Sequence, residues 1–341
     1  MQSRLHDLLA ERGSLLADGA TGTNYFSMGL NAGDAPEMWN VEHPERVARL
    51  HRQFVDAGAD ILLTNSFGGT RYRLQLHHAE GRVAELNEAA ARIAKTEAAR
   101  AGRPVLVAGS MGPTGEIFEP VGSLSPTDGE AAFREQAEAL AAGGADVLWL
   151  ETLSSREEVE AGLKAADGLG LPVVCTVSFD TNGATMMGVT PRSFAEFVPG
   201  TVPSLCACGT NCGVGAAEVV ACISEMKKIV GDEVILVAKA NCGIPQWVDD
   251  AIHYDGTPAL MADYVHLAHA AGARIIGGCC GTSPDHLQAM RAAMDSIEPA
   301  ATPDVETIEN SLGHISDGIK RQITGAPNTA SPRAGRRRRR G

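Results

Sequence analysis

The sequence predicts an α/β chain folded as a single-domain (β/α)8 TIM barrel, and three observations carry that prediction. Eight short apolar runs, each closed by a polar or glycine residue, recur along the chain. Amphipathic helical stretches separate them at intervals of roughly 25 to 45 residues, the room a parallel crossover needs. Three helix ends, Ala57 to Asp60, Gly143 to Asp146 and Ala271 to Arg274, share a glycine turn that feeds straight into the next run. A doubly wound open sheet is the alternative, but eight alternating units in one chain favour closure.

The elements follow in order. A polar helical lead-in, Met1 to Arg12, precedes the first run, Leu15 to Gly19. The helix His43 to Gly58, started by Pro44, leads into Asp60 to Asn65, and Ala84 to Ala101 leads into Val105 to Ser110. Asp128 to Gly143 precedes Val147 to Thr152; Ser154 to Gly168, which opens on a Ser-Ser-Arg-Glu capping pattern, precedes Val173 to Phe179. Weaker helical stretches separate the last three runs, Ser204 to Cys212, Val234 to Asn241 and Arg274 to Gly281. The barrel is expected over residues 1–297. A C-terminal extension, 298–322, has helical character from Val305 to Gln322, and a disordered Arg-rich tail covers 323–341, with five arginines from Arg336 to Arg340.

Composition narrows the function. With 341 residues, 44% of them apolar, the chain can bury one large core. A net charge of −13 and only 4% aromatics argue against a nucleic-acid partner, and the terminal arginines read as a solvated tail. Neither an apolar signal segment nor a run of transmembrane length is present, so a cytoplasmic protein without a membrane partner is expected. In that reducing setting the eight cysteines are thiols or metal ligands rather than disulfides. An oligomer is compatible with the sequence.

Barrel chemistry lies at the C-terminal ends of the strands. The residues there are Asp18, Asn65, Ser110, Glu151, Ser178 with Asp180, Asn211 with Cys212, Asn241, and Cys279 with Cys280. Closure brings Cys212 and the Cys279–Cys280 pair to neighbouring positions on one rim. Three thiolates suit zinc, and a set of three leaves a fourth position open, as a catalytic site requires. A substrate thiol bound there would lose its proton yet stay nucleophilic, which favours thiol alkylation. A redox-active vicinal disulfide is the alternative use of Cys279 and Cys280. Cys175, Cys206, Cys208 and Cys222 read as buried filler, with 206 and 208 expected on one strand face below the rim.

Several motifs together resemble the zinc-dependent homocysteine S-methyltransferases, a family that includes betaine-homocysteine methyltransferase, S-methylmethionine-dependent enzymes and the homocysteine module of cobalamin-dependent methionine synthase. They are Asp18-Gly19-Ala20-Thr21-Gly22-Thr23, the run Ala59 to Phe67, Gly109 to Gly115, Leu150-Glu151-Thr152, Gly209-Thr210-Asn211-Cys212 and Gly277-Gly278-Cys279-Cys280-Gly281-Thr282. The resemblance covers about Leu15 to Ile297, and its last two motifs are highly specific. It implies a (β/α)8 barrel in which Cys212, Cys279 and Cys280 ligate Zn²⁺, homocysteine sulfur binds that metal, and Asp18 and Glu151 anchor the amino-acid end.

Beyond the resemblance, the amides of Gly19 and Ala20 and of Ser110 to Gly112 are candidate donors to the substrate carboxylate. Asn211 and Asn241 are candidate donors to thiolates or substrate. The segment Asn241-Cys242-Gly243-Ile244-Pro245 resembles the family's strand-seven Asn-x-Gly-x-Pro turn but carries Cys242 where that family usually has a small residue, an extra thiol at the rim.

The methyl donor is less constrained. An onium donor such as betaine is recognised by aromatic faces, and Trp39 and Phe67 are candidates for that contact. The aromatics that animal betaine enzymes carry after strands two and four are replaced here by Gly68 and Thr152. The Leu-Glu-Thr and Thr-Asn-Ser-Phe sequences look closer to the methionine-synthase module, whose methylcobalamin would come from a cobalamin-carrying partner protein. A non-catalytic zinc- or thiol-binding module is the reading from another class.

Overall fold

In the computed structural model, which describes residues 3–248 and 251–324, the strands are β1 (Leu15–Leu16), β2 (Ile61–Leu63), β3 (Leu106–Met111), β4 (Val147–Leu153) and β5 (Val173–Val177). They continue with β6 (Leu205–Cys212), β7 (Ile235–Ala240), β8 (Pro245–Val248), β9 (Ala251–Tyr254) and β10 (Ala273–Gly278). All except β8 and β9 are parallel members of one eight-stranded sheet, ordered β1-β10-β7-β6-β5-β4-β3-β2. The ends of that order meet. Ala17 bridges Ile61 in parallel, Asp60 N donates to Leu16 O at 2.7 Å, and Asp18 N donates to Ile61 O at 3.0 Å. The fold is therefore a single-domain (β/α)8 barrel, with closure carried by a two-residue β1.

The helices preceding β2 to β5 run over Pro44–Asp56, Val83–Ala99, Pro126–Ala142 and Arg156–Ala166, each within two residues of its sequence expectation. Ser155 caps the last of these, its hydroxyl accepting from Glu158 N. The three recurring glycine turns are real. Gly58, Gly144 and Gly272 have φ of 103°, 98° and 112°, a left-handed conformation that costs glycine little and terminates each helix against the next strand.

The barrel interior is layered as alternation dictates. Its lower layer is apolar, with Ile61, Leu106, Trp149, Val174, Val237 and Ile275, and the helix Arg4–Arg12 covers it from below with Leu5 and Leu8. At that end Asp60, 1% exposed, accepts from Leu16 N at 2.9 Å and pairs with Arg12, Arg103 and Arg291. A carboxylate so buried is tolerated because cations and an amide meet it.

Two expectations need correction. Cys206 and Cys208 do not share a face: the β5–β6 register slips between Val173↔Leu205 and Val174↔Ala207. That bulge leaves Cys206 against the barrel interior and Cys208 in the layer between sheet and helices. The C-terminal extension forms two helices rather than one, Val305–Leu312 and Asp317–Thr324, because Gly313 turns left-handed at φ 97°. Glu218 holds this extension by accepting from Ser316 N at 2.9 Å and from its hydroxyl at 2.5 Å. Arg336 to Arg340 lie outside the described residues. Among the described residues, no helix is long and apolar enough to cross a membrane.

Candidate metal and substrate site

Cys212 ends β6, and Cys279 and Cys280 follow β10 directly. Strand β7 lies between them, and the register Cys212↔Ala240↔Gly278 sets all three sulfurs at one height. The three Sγ atoms fall within 4.8 Å of one another, the only such group found among the described residues. Backbone bonds fix the loops: Cys279 N donates to Ala240 O at 2.7 Å and Cys242 N to Cys280 O at 2.9 Å. Hydrogen bonds from the Cys212 and Cys279 thiols, with one from the Tyr254 hydroxyl, hold the Cys280 pKa well below the ordinary thiol range. This cluster therefore favours thiolate at one sulfur before any cation arrives.

Cys242 is not in the cluster. Its backbone supports Cys280, and burial pushes its thiol up to about 11. Asn211 organises the adjoining rim: Oδ1 accepts from Thr152 N at 2.8 Å and Thr176 Oγ1 at 2.7 Å, while Nδ2 donates to Thr152 Oγ1 at 2.7 Å. The same Nδ2 lies 3.9 Å from Cys279 Sγ. Asn241 is bonded to the neighbouring loop. Its amide donates to Gly213 O at 2.8 Å and so supports the loop behind Cys212.

Below the thiols lies a charged floor. Glu151, 7% exposed, accepts a short hydrogen bond from Ser110 Oγ on one oxygen. Burial pushes its pKa up to about 7, opposed by Lys239. Asp18 accepts from Leu63 N at 2.8 Å on Oδ2 and from Lys239 Nζ at 3.0 Å on Oδ1. Burial raises the Asp18 carboxyl, and Lys239 pulls it back. Neither carboxylate caps a neighbouring turn or helix.

Several amides expected to bind a carboxylate are committed elsewhere. Ala20 N donates to Thr282 O at 3.1 Å, Ser110 N to Thr64 Oγ1 at 2.9 Å and Gly112 N to Phe67 O at 2.9 Å. Gly19 is tightly enclosed, since a Cβ there would stand 2.7 Å from Thr282 O. Asn65 and Asp180 do not join the site: Asn65 bonds Pro36 O and Asn40, and Asp180 is exposed. Ser178 stays at the rim as a support, its hydroxyl accepting from Gly213 N at 3.1 Å.

The aromatic candidates separate. Trp39 is buried, packed at a tilt 5.2 Å from the Tyr25 ring and covered by the Arg46 guanidinium at 4.7 Å, so its ring is occupied. Phe67 is 38% exposed at the end of the β2 loop. In front of Gly68 stands the Glu37 carboxylate, 3.0 Å from where a Cβ would be, and Thr152 is taken by Asn211.

Sequence reasoning missed Lys239 and Tyr254. The first had a readable sign: a lysine two residues from both Val237 and Asn241 shares their inward face. Tyr254 had none, because it reaches Cys280 only through the antiparallel β8–β9 hairpin.

Fold and site together define a barrel enzyme with a three-cysteine rim above a buried carboxylate pair. The chain belongs to the homocysteine S-methyltransferase family, whose model matches residues 15–294. It is similar to the Escherichia coli homocysteine methyltransferase MmuM in its oxidised form, at 27% identity and a TM-score of 0.72 over 85% of this chain and 99% of that one. The metallated form of MmuM matches at 27% identity and a TM-score of 0.71, over 84% of this chain and 99% of that one. A methyltransferase from Methanosarcina mazei shares the fold, at 15% identity and a TM-score of 0.53 over 84% of this chain and 96% of that one.

Proposed function

We propose that this enzyme transfers a methyl group from a small onium donor, betaine or a similar compound, to the thiol of homocysteine, giving methionine at a zinc-bearing site. The observation that carries the reading is the convergence of the three sulfurs within 4.8 Å directly above Glu151 and Asp18.

The donor set fits zinc. Zn–S bonds of about 2.3 Å in a tetrahedron need sulfurs about 3.8 Å apart, which a cluster of this size reaches with small side-chain motions. Cys212, Cys279 and Cys280 would hold the ion and leave one position for substrate. When bound, zinc would keep the substrate thiol deprotonated near neutral pH while three anionic ligands leave its sulfur electron-rich.

The chain's own residues orient. Glu151 has one oxygen held by Ser110 and presents the other to the substrate ammonium, a charged hydrogen bond in a partly dry pocket. Asn211 fixes the rim beside Cys279. The substrate sulfur forms its bond to the donor methyl carbon as that carbon's bond to nitrogen or sulfur breaks, and the electron pair leaves with a neutral amine or sulfide. This displacement needs alignment more than acid–base help. The exposed face of Phe67 suits an onium group at the mouth.

The test is zinc content and methionine formation in one reduced preparation, offered homocysteine with betaine, dimethylsulfoniopropionate, S-methylmethionine or methylcobalamin. About one zinc per chain and turnover with an onium donor support the reading. Turnover with methylcobalamin alone assigns the chain to a divided system with a cobalamin-carrying partner. Absence of zinc overturns it.

A further inference from the structure

Lys239 lies on the inner face of β7, between Asn211 and Gly277 in the register and one step below the cysteines. Its side chain is 3% exposed. Gly277 makes room for it: a Cβ there would approach Lys239 Cγ to 3.1 Å. The ammonium stands 3.0 Å from Asp18 Oδ1 and 5.7 Å from the centre of the Trp149 ring. Burial pulls its pKa down, but Asp18, Glu151 and Cys279 outweigh that and raise it above the ordinary lysine value.

An ammonium has three N–H donors. Asp18 takes one, and no second side-chain or backbone acceptor lies within hydrogen-bond distance among the described residues. Two acidic side chains, Asp18 and Glu151, stand around it, with the three cysteine sulfurs above. An amino-acid substrate brings a carboxylate of its own into that field, and Ala20, Ser110 and Gly112, three of the amides that would receive it, are bonded within the protein. We infer that the Lys239 ammonium binds the substrate's α-carboxylate from the floor of the barrel and so makes the site selective for amino-acid thiols over thiols that lack a carboxylate. The inference rests on the proposed thiol-substrate reading. Lys239 and Glu151 then grip opposite charges of one zwitterion, which orients its sulfur toward the cysteines.

The experiment is calorimetric titration of the zinc-loaded enzyme, without methyl donor, with homocysteine and with 3-amino-1-propanethiol, the same thiol without its carboxylate. Wild-type protein should bind homocysteine on the order of 10- to 100-fold more tightly. In Lys239→Met that preference should fall to about twofold or less, and Lys239→Arg should retain part of it. A variant that weakens both thiols equally, or keeps the full preference, overturns the inference and leaves Lys239 a support for Asp18. If homocysteine does not bind the wild type at all, the underlying substrate reading fails. Should Lys239→Met not fold, a crystal structure of the wild type with homocysteine decides: a carboxylate oxygen within hydrogen-bond distance of Nζ supports the assignment, and a carboxylate elsewhere ends it.

Discussion

Asn211 and Thr152 hold each other twice, Oδ1 of Asn211 accepting from Thr152 N at 2.8 Å and Nδ2 donating to Thr152 Oγ1 at 2.7 Å. The pair joins the ends of β6 and β4 where Thr152 and Cys212 both adopt φ of 63°, a left-handed conformation unusual for residues other than glycine. Asn211 therefore secures the strained backbone that aims Cys212 at its two partners.

Replacing it follows from that geometry. Asn211→Ala strands Thr152 N and its hydroxyl and leaves the Thr176 hydroxyl only its long contacts to Leu150 O and Trp149 Nε1, which should cost about 2–4 kcal/mol in urea unfolding. Zinc affinity should drop about 10- to 100-fold as Cys212 loses its fixed direction. A competitive chelator titration reads the second effect. Unchanged zinc affinity in a folded variant would confine Asn211 to the fold.

Glu151 gives the substrate pocket a pH dependence. Burial sets its pKa at about 7, and anchoring an ammonium requires the ionised form. The ratio of the wild-type KM for homocysteine to that of Glu151→Gln, in which the thiol's own proton loss cancels, should therefore be flat above pH 8 and rise as pH falls through 7, approaching tenfold per unit below it. Glu151→Gln should start from a higher KM and keep only the slope that the substrate thiol contributes. A ratio that is level from pH 8 to 6 would remove Glu151 from substrate binding.

Much of this was legible in the sequence, for identifiable reasons. The eight runs were read because parallel barrel strands are buried on both sides and appear as nearly continuous apolar segments. The thiol cluster was read because strand ends converge in a closed barrel, whatever their separation along the chain. What escaped was set by contacts that no local pattern encodes. The bulge at Cys206 reverses a strict alternation, and nothing before or after it marks the extra residue. The Arg46 guanidinium that occupies Trp39 comes from the next helix, and the Glu37 carboxylate facing Gly68 comes from the distant 3-10 turn Pro36–Met38.

The metal should be separable from the fold. Cys212 is only partly buried at the rim, so Cys212→Ala removes a ligand without opening a core cavity. Its Tm should match that of chelator-treated wild type, and both should lack zinc. Adding zinc should raise the wild-type Tm alone, since a ligand stabilises only the state that binds it. Stoichiometric zinc in Cys212→Ala would point to a different ligand set.

Stability at acid pH should be set in part by His51. It lies on the helix Pro44–Asp56, 1% exposed, with neither ring nitrogen partnered among the described residues. Burial lowers its pKa to about 4, against about 6.5 in the unfolded chain. Between those values the unfolded chain takes up a proton that the folded protein refuses. The contribution of His51 is thus constant above about pH 6.5 and is lost as pH falls toward 4, by roughly 3 kcal/mol in all. Urea midpoints of wild type and His51→Leu at pH 7.5, 5.5 and 4.5 test this, because the other titrating groups are common to both. The difference between the two proteins should move in favour of leucine at each step down. Parallel loss in both would show that the His51 ring finds a partner for its charge in solution, and that the helix, rather than this side chain, yields to acid.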